Sequence, residues 1–360
     1  MTTFARYLTK KNITYASLAC GGLANYYYSA DIATYVLNKL DAEKAHNLSI
    51  FLMSKNIIPY TKTYDSPVLH NEIIGHKINH PVGLAAGFDK NALAYNQLYK
   101  IGFSSVEIGS ITPNMQKGNK KPRIFREEDF ILNHCGLNNH GINIVKQRLS
   151  YFDCEKRKKN NNILGISISK NNDSKKEIED FSTWIEKLQD YGDYIVLNLS
   201  CPNVKKKVSI NTYEEIFKKA RDKCYKPLFI KLSPDLEDDQ YLEIGKQAIK
   251  HKINGIVLTN TLKTILGGES GSEKLYERSN FILKNMYKEF GSELIFVGCG
   301  GILTPEQAYK KIKLGASIIQ IYSGFIYSGP NIIYDINKYL DEQLKKDGFK
   351  NIKQAIGADI

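Results

Sequence analysis

Residues 295–301 read IFVGCGG, a short apolar run that stops at small residues and a pair of glycines. Runs of the same form recur at PVGLAAG (81–87), SVEIGS (105–110), NILGISIS (162–169), YIVLNLS (194–200), LFIKLSP (228–234), GIVLTNT (255–261) and IIQIYSG (318–324), with helical segments between them. Continuously apolar strands that alternate with helices predict a parallel sheet covered on its faces. Eight such units over about 240 residues predict an α/β fold of the closed (β/α)8 TIM-barrel type. The rival is an open doubly wound sheet. That fold carries its phosphate loop after the first strand, whereas the most glycine-rich turn here follows the seventh.

Ahead of the barrel, apolar residues recur at helical spacing between Asp31 and about Lys55: Ile32, Tyr35, Val36 and Leu40, then Ala45, Leu48, Phe51 and Leu52. Asp41 is the expected N-cap between two helices, and the pair forms a cap or a membrane-surface patch. NEIIGHKINHP (71–81) reads as a small hairpin with Gly75 and His76 at its turn. Residues 1–30 stand apart. Arg6, Lys10 and Lys11 precede an uncharged run from Asn12 to Ala30, with no acid before Asp31. Basic, hydroxyl-rich and acid-free is the composition of a mitochondrial transit segment, and the run is just long enough for a polar, poor membrane span; a disordered tail is the bland alternative. The expected division is a targeting or membrane-anchor segment at 1–30, a two-helix extension at 31–65 and the barrel at 66–360.

The formal charge of +12 on 360 residues comes from lysines scattered along the whole chain. No aromatic-laced basic patch is present, so nucleic acid is not an expected partner. The six cysteines form no CxxC pair and have no histidines at metal spacing, which indicates neither a zinc site nor a disulfide framework.

Strand ends of a barrel converge on one face, and here they bring together Gly87 and Lys90, Gly109 and Ser110, Ser167 and Lys170, Asn198 and Cys201, Lys231, Thr259 and Asn260, Gly300 and Gly301, and Tyr322 and Ser323. The turns after the seventh and eighth strands offer backbone N–H groups where barrels bind phosphate. Lys90 and Lys231 end apolar runs, so each is expected to face an anion or an electron-rich ring. Asn133, Asn198, Asn203 and Asn260 each carry a donor and an acceptor. Converging near the Cys201 thiol, they suit a flat, pyrimidine-like substrate with alternating C=O and N–H groups.

The stretches GLAAGFDKN (83–91), VEIGSITPNMQKGNKKPRIFR (106–126), GLNNHG (136–141), NLSCPN (198–203), KLSPDL (231–236), LTNT (258–261), GCGGI (298–302) and QAIGAD (354–359), in this order and spacing, resemble dihydroorotate dehydrogenase. The resemblance is to its class 2, the membrane-associated, quinone-reducing form, and spans roughly residues 40–360. It implies FMN-dependent oxidation of (S)-dihydroorotate to orotate in pyrimidine synthesis, with electrons passed to ubiquinone at the mitochondrial inner membrane. The implied cofactor contacts are Ala85, Ala86, Gly87, Ser110, Ser167, Asn198 and Thr259, with the phosphate near Ser270, Gly271, Gly300, Gly301, Tyr322 and Ser323. Lys231 would stand beside the isoalloxazine ring and favour the negative charge of the reduced flavin. Lys90 would meet the substrate carboxylate, and Asn133, Asn198, Asn203, Asn260 and Thr261 its ring. His46, Arg126 and Tyr322 match the polar contacts of a quinone tunnel built by the N-terminal helices.

Cys201 falls at the position of the catalytic base, which removes a proton from carbon 5 while a hydride leaves carbon 6 for flavin nitrogen 5. Class 2 members generally carry Ser there and soluble class 1 members Cys. An ordinary thiol titrates near pH 8.5, far below a hydroxyl, so it serves as a base without a strong activator. Three further departures bear on turnover. Ser167 replaces a flavin-contacting Asn, so a water would have to bridge; VKKKVSI (204–210) lacks the family's Gly-Leu-Arg pattern in the lid; and the loop Leu262–Gly268 is shortened. The alternatives are fumarate or NAD as acceptor, which the N-terminal helices argue against, a dihydrouridine synthase, which would need an RNA-binding C-terminal domain, and a non-catalytic FMN-binding barrel.

Overall fold

The computed structural model describes residues 28–151, 154–203 and 209–360. Nearly all of the expected targeting segment, and most of the expected lid, lie outside these. The barrel strands are β1 (Val82–Leu84), β2 (Ser105–Ile111), β3 (Ile163–Ile168), β4 (Tyr194–Asn198), β5 (Leu228–Leu232), β6 (Gly255–Leu258), β7 (Ile295–Cys299) and β8 (Ile318–Ile321). Each falls on one of the apolar runs. They pair in parallel in sequence order, and β8 returns to β1 to close the ring. Every residue of β4 and β5 is buried, as strands with a filled interior on one side and helices on the other must be.

Inside the ring, Ala85, Tyr194, Val196, Phe229, Val257 and Val297 pack with Ile73 and Ile78 of the hairpin Asn71–Ile73/His76–Ile78, which plugs the N-terminal end. The hairpin turn is Ile74–Gly75, not Gly75–His76 as expected. Both turn residues have positive φ (52° and 77°), the twist that a two-residue hairpin loop requires, and His76 already pairs with Ile73.

At the other end, the loops after β2 and β6 make a four-stranded antiparallel roof in the order Leu262–Thr264, Gly267–Ser270, Ile131–Asn133, Ile124–Arg126. Beside it lie helices α1 (Ser29–Lys39) and α2 (Ala42–Ser54), joined at Asp41, whose side chain caps α2 by accepting from the Lys44 N–H at 3.0 Å. Arg123 donates to Glu43 Oε1 of α2 at 2.8 and 3.2 Å, and Arg126 to the Asn38 carbonyl of α1 at 2.8 Å. The helix pair is thus tied to the roof by two arginines of one short segment. Its periodic apolar stripe faces the opposite way: Ile32, Tyr35, Val36 and Leu40 are exposed, as are Leu48 and Phe51. Among the described residues no helix is long and apolar enough to cross a membrane.

Candidate active site

The strand ends and the roof enclose a cavity of about 1320 Å³, its open mouth included. It is lined by every residue to which the resemblance gives a role except Ser167. One end is a glycine cradle. Gly300 and Gly301 have φ of 110° and 71°, and a Cβ on Gly301 would overlap Tyr276. Gly271 (φ 98°) lies against Ser323, whose hydroxyl donates to Ser270 Oγ at 3.1 Å. Only residues without side chains leave such a turn open, and an open turn of backbone suits a phosphate.

The middle of the cavity is walled by Ala85, Ala86 and Gly87 after β1, by Ser110, Asn198 and Thr259, and by Lys231 on β5, which pairs with Asn198 across the sheet. Ser167 does not reach it. Its fully buried hydroxyl lies 2.8 Å from Ser110 Oγ, which accepts from Asn198 Nδ2 at 2.7 Å, so Ser167 stands one hydrogen bond behind the wall. Lys170, just after β3, does not line the cavity either. Beneath, inside the barrel, Glu107 accepts from Gln320 Nε2 at 2.8 Å. Burial raises its pKa, opposed in part by the Lys231 ammonium and the Gln320 bond.

The other end gathers the amides into two hydrogen-bonded groups. Asn203 Nδ2 donates to Asn133 Oδ1 at 2.7 Å, and Asn133 donates to the Gly268 carbonyl at 3.1 Å. Asn260 Nδ2 donates to Asn198 Oδ1 at 3.2 Å and to Ser200 Oγ at 2.9 Å, and its own Oδ1 accepts from the Thr261 N–H at 2.8 Å. Asn203 Oδ1 is buried and has no hydrogen-bond partner among the described residues, an acceptor that a ligand N–H would satisfy. Cys201, half-buried, enters beside Pro202, on which the roof strand rests; a Cβ on Gly268 would lie 2.9 Å from Pro202 Cγ. Cys135, Cys201, Cys224 and Cys299 are all thiols.

Lys90 donates to the Gly87 carbonyl at 2.6 Å. Its loop is shaped by Asp89, whose carboxylate collects the N–H groups of Asn91, Leu93 and Ala94 at 3.2, 2.9 and 2.7 Å. Burial raises the Asp89 pKa against those bonds.

A second cavity, of about 820 Å³, lies between the helix pair and the barrel and is lined by Ala33, Leu37, Leu52, Met53 and Phe88 among others. It shares Ala42, His46, Arg126 and Ile326 with the first. The His46 ring meets Phe88 edge-on at 5.3 Å, and its pKa is lowered to about 3 by burial and, second, by the Lys90 charge. Tyr322 lines only the first cavity, with its ring 6.5 Å from Phe88 and its phenol pKa raised by burial. Sequence reasoning missed Cys135, Cys299 and Gln320 in the first wall. Gln320 carried a signal, being the one polar residue inside the run IIQI.

The dihydroorotate dehydrogenase family model matches residues 68–344. The chain is 40% identical over 347 residues to the dihydroorotate dehydrogenase (quinone) of Helicobacter acinonychis, covering 90% of this chain and 97% of that one. It is 35% identical over 386 residues to the mitochondrial dihydroorotate dehydrogenase (quinone) of Oryza sativa subsp. japonica, covering 95% and 81%. A crystal structure of DHODH from Eimeria tenella in complex with ferulenol matches with a TM-score of 0.83 at 33% identity, over 89% of this chain and 96% of that one.

Proposed function

The chain belongs to the dihydroorotate dehydrogenase family and oxidises dihydroorotate with a quinone as acceptor, and we propose that its flavin is FMN, its acceptor ubiquinone and its place the mitochondrial inner membrane. When bound, FMN supplies the hydride acceptor on the substrate side and the electron donor on the quinone side. The single observation that carries the residue assignment is the cavity itself. An open glycine turn at one end and a thiol, a lysine and a mesh of asparagines at the other are the two ends of one space.

Gly271, Gly300, Gly301 and Ser323 would hold the FMN phosphate, and Ala85–Gly87, Ser110 and Thr259 its ring. Lys231 would stand beside that ring. Lys90 pairs with the substrate carboxylate, and Asn133, Asn198, Asn203 and Asn260, with Thr261, read the ring edge. Cys201 takes the proton from carbon 5. On the acceptor side, quinone enters between α1 and α2, past Leu37 and Leu52, and meets neutral His46 and charged Arg126, with Tyr322 beyond. The exposed stripe of Ile32, Tyr35, Val36, Leu40 and Phe51 rests on the membrane surface, where burying it in lipid is favourable. The acid-free, basic N-terminal sequence and the mitochondrial names of the plant relatives support the compartment.

The test is anaerobic mixing of the full chain in detergent with dihydroorotate and then a ubiquinone analogue, while following the flavin absorbance. Substrate should bleach it and quinone restore it. Cys201→Ala should retain FMN and fail to bleach, and the parent rate should rise with pH around the thiol pKa. An alanine variant that bleaches at the parent rate refutes the base assignment.

A further inference from the structure

Behind the Gly300–Gly301 turn lies a lysine that the reaction does not use. Lys311, on the helix Pro305–Lys313, has no solvent exposure (0%). Lysines are almost never fully buried unless paired. Among the described residues this one makes no ion pair: its Nζ donates to Ser279 Oγ at 2.7 Å and Asn280 Oδ1 at 2.9 Å, and lies 5.4 Å from the centre of the Tyr276 ring. All these partners are neutral and belong to the helix Glu273–Phe290. Ser279 in turn has two carbonyls within reach of its one hydroxyl hydrogen, Tyr276 at 3.0 Å and Gly300 at 3.2 Å, and Tyr276 is the residue against which Gly301 packs. The ammonium is therefore one hydroxyl away from the backbone of the turn.

We propose that Lys311 is the buried counter-charge of the cofactor phosphate, a positioning residue that holds the Gly300–Gly301 turn through Ser279 and makes the site select a phosphorylated flavin. The inference rests on the assignment of the FMN phosphate to this turn. Its physical basis is the cost of an ammonium in a dry site with only neutral partners, which an anion held by the neighbouring turn would offset. Burial also lowers the Lys311 pKa to about 7, opposed by the facing Cys299 at the end of β7. Tyr276 and Cys299 are the titratable groups that face it, while its neighbours Lys310 and Lys313 are engaged by Asp359. A bound phosphate raises the lysine pKa, so FMN binding draws in a proton and weakens as the pH rises above about 7, by up to tenfold per unit.

The experiment exchanges the resident flavin of the full chain and reads dissociation constants for FMN and for riboflavin, which lacks the phosphate, from flavin fluorescence between pH 6 and pH 9. Lys311→Met should weaken FMN at least tenfold, leave riboflavin within twofold and remove the pH dependence; Lys310→Met, on the exposed neighbour that pairs with Asp359, should keep the parent profile. Equal weakening of both flavins, or loss of the pH dependence in Lys310→Met, overturns the proposal. Should the methionine variant fail to fold, the parent decides, because an FMN affinity that stays flat from pH 7 to pH 9 also overturns it. A parent that holds riboflavin as tightly as FMN instead refutes the phosphate placement, and the proposal falls with it.

Discussion

Replacing Glu43 by Gln should loosen the helix pair while leaving the substrate half of the site intact. Glu43 Oε1 receives Arg123 at 2.8 and 3.2 Å and Lys121 at 3.1 Å, and the Arg123 and Glu43 side chains are only 8% and 12% exposed. Burial alone would push the Glu43 pKa up; the bonds and charges of Arg123 and Lys121 prevail and hold it below the usual value. Exposed pairs are worth about 0–1 kcal/mol, and removing one partner of a fully buried pair costs about 3–5 kcal/mol. Glutamine keeps the shape and one acceptor, so a loss of about 2 kcal/mol is expected here. That corresponds to roughly 30-fold faster hydrogen exchange in α2 if the helix opens locally, with no change in peptides from β4 and β5. Because Arg123 keeps its bonds to the carbonyls of Lys117 (2.8 Å) and Asn119 (3.2 Å), the roof stays in place. Bleaching by dihydroorotate should be unchanged and the KM for quinone raised. The sign with pH follows from the lowered carboxyl: the tie is present at neutral pH and is lost as the pH falls through the folded-state pKa, so acid should speed α2 exchange in the parent more than in the variant. Unchanged α2 exchange in Glu43→Gln would show that apolar contacts such as Ala45 and Met53, not this ion pair, hold the helices.

Two further outcomes test the two ends of the cavity. Gly301→Ala, which puts a Cβ onto Tyr276 at a φ of 71°, should yield protein purified with little flavin; Gly348→Ala, at φ 80° with nothing within 4 Å, should lose only about 1 kcal/mol and keep its full flavin-to-protein absorbance ratio, and equal ratios in both would refute the cradle. His46, lowered to about 3, should show ring proton shifts that do not move between pH 5 and pH 8, and since the unfolded ring gains its proton near pH 6.5, this residue's share of stability is present above that pH and is lost as the pH falls toward 3; a ring titrating near 6.5 in the folded protein would refute its neutrality.

The barrel was legible because eight short, mostly apolar runs alternate with helical segments, the pattern of strands covered on both faces. Side-chain direction was not. Periodicity showed that Ile32, Tyr35, Val36 and Leu40 share a face of α1, but not that this face points outward while Ala30, Ala33, Thr34 and Leu37 line the second cavity. Ser167 ends a strand as Ser110 does, yet one lies behind the other, which depends on barrel geometry and not on local sequence. Asp89 reads as a charge beside Lys90, and only the fold shows it gathering backbone N–H groups. Lys311 sits in a Lys-rich amphipathic helix where a surface position is the natural reading. Glu43 and Arg123 are 80 residues apart, and no spacing rule joins them.

The two cavities meet at His46 and Arg126, so the proposed acceptor side is exposed to whatever charge the proposed substrate side carries. Lys90 is the link, since its ammonium is the second cause of the lowered His46 pKa. A substrate carboxylate bound to Lys90 removes part of that pressure, but burial, the larger cause, remains. The imidazole therefore stays neutral whether or not the substrate site is filled, and cannot carry a pH-dependent signal between the half-reactions. Arg126 is the other polar side chain shared by both cavities. Its Nη1 is spent on the Asn38 carbonyl, whereas its Nε is buried without a hydrogen-bond partner among the described residues. On the proposed assignment, a quinone carbonyl that reaches the junction meets the Arg126 guanidinium with a donor to spare and one neutral ring.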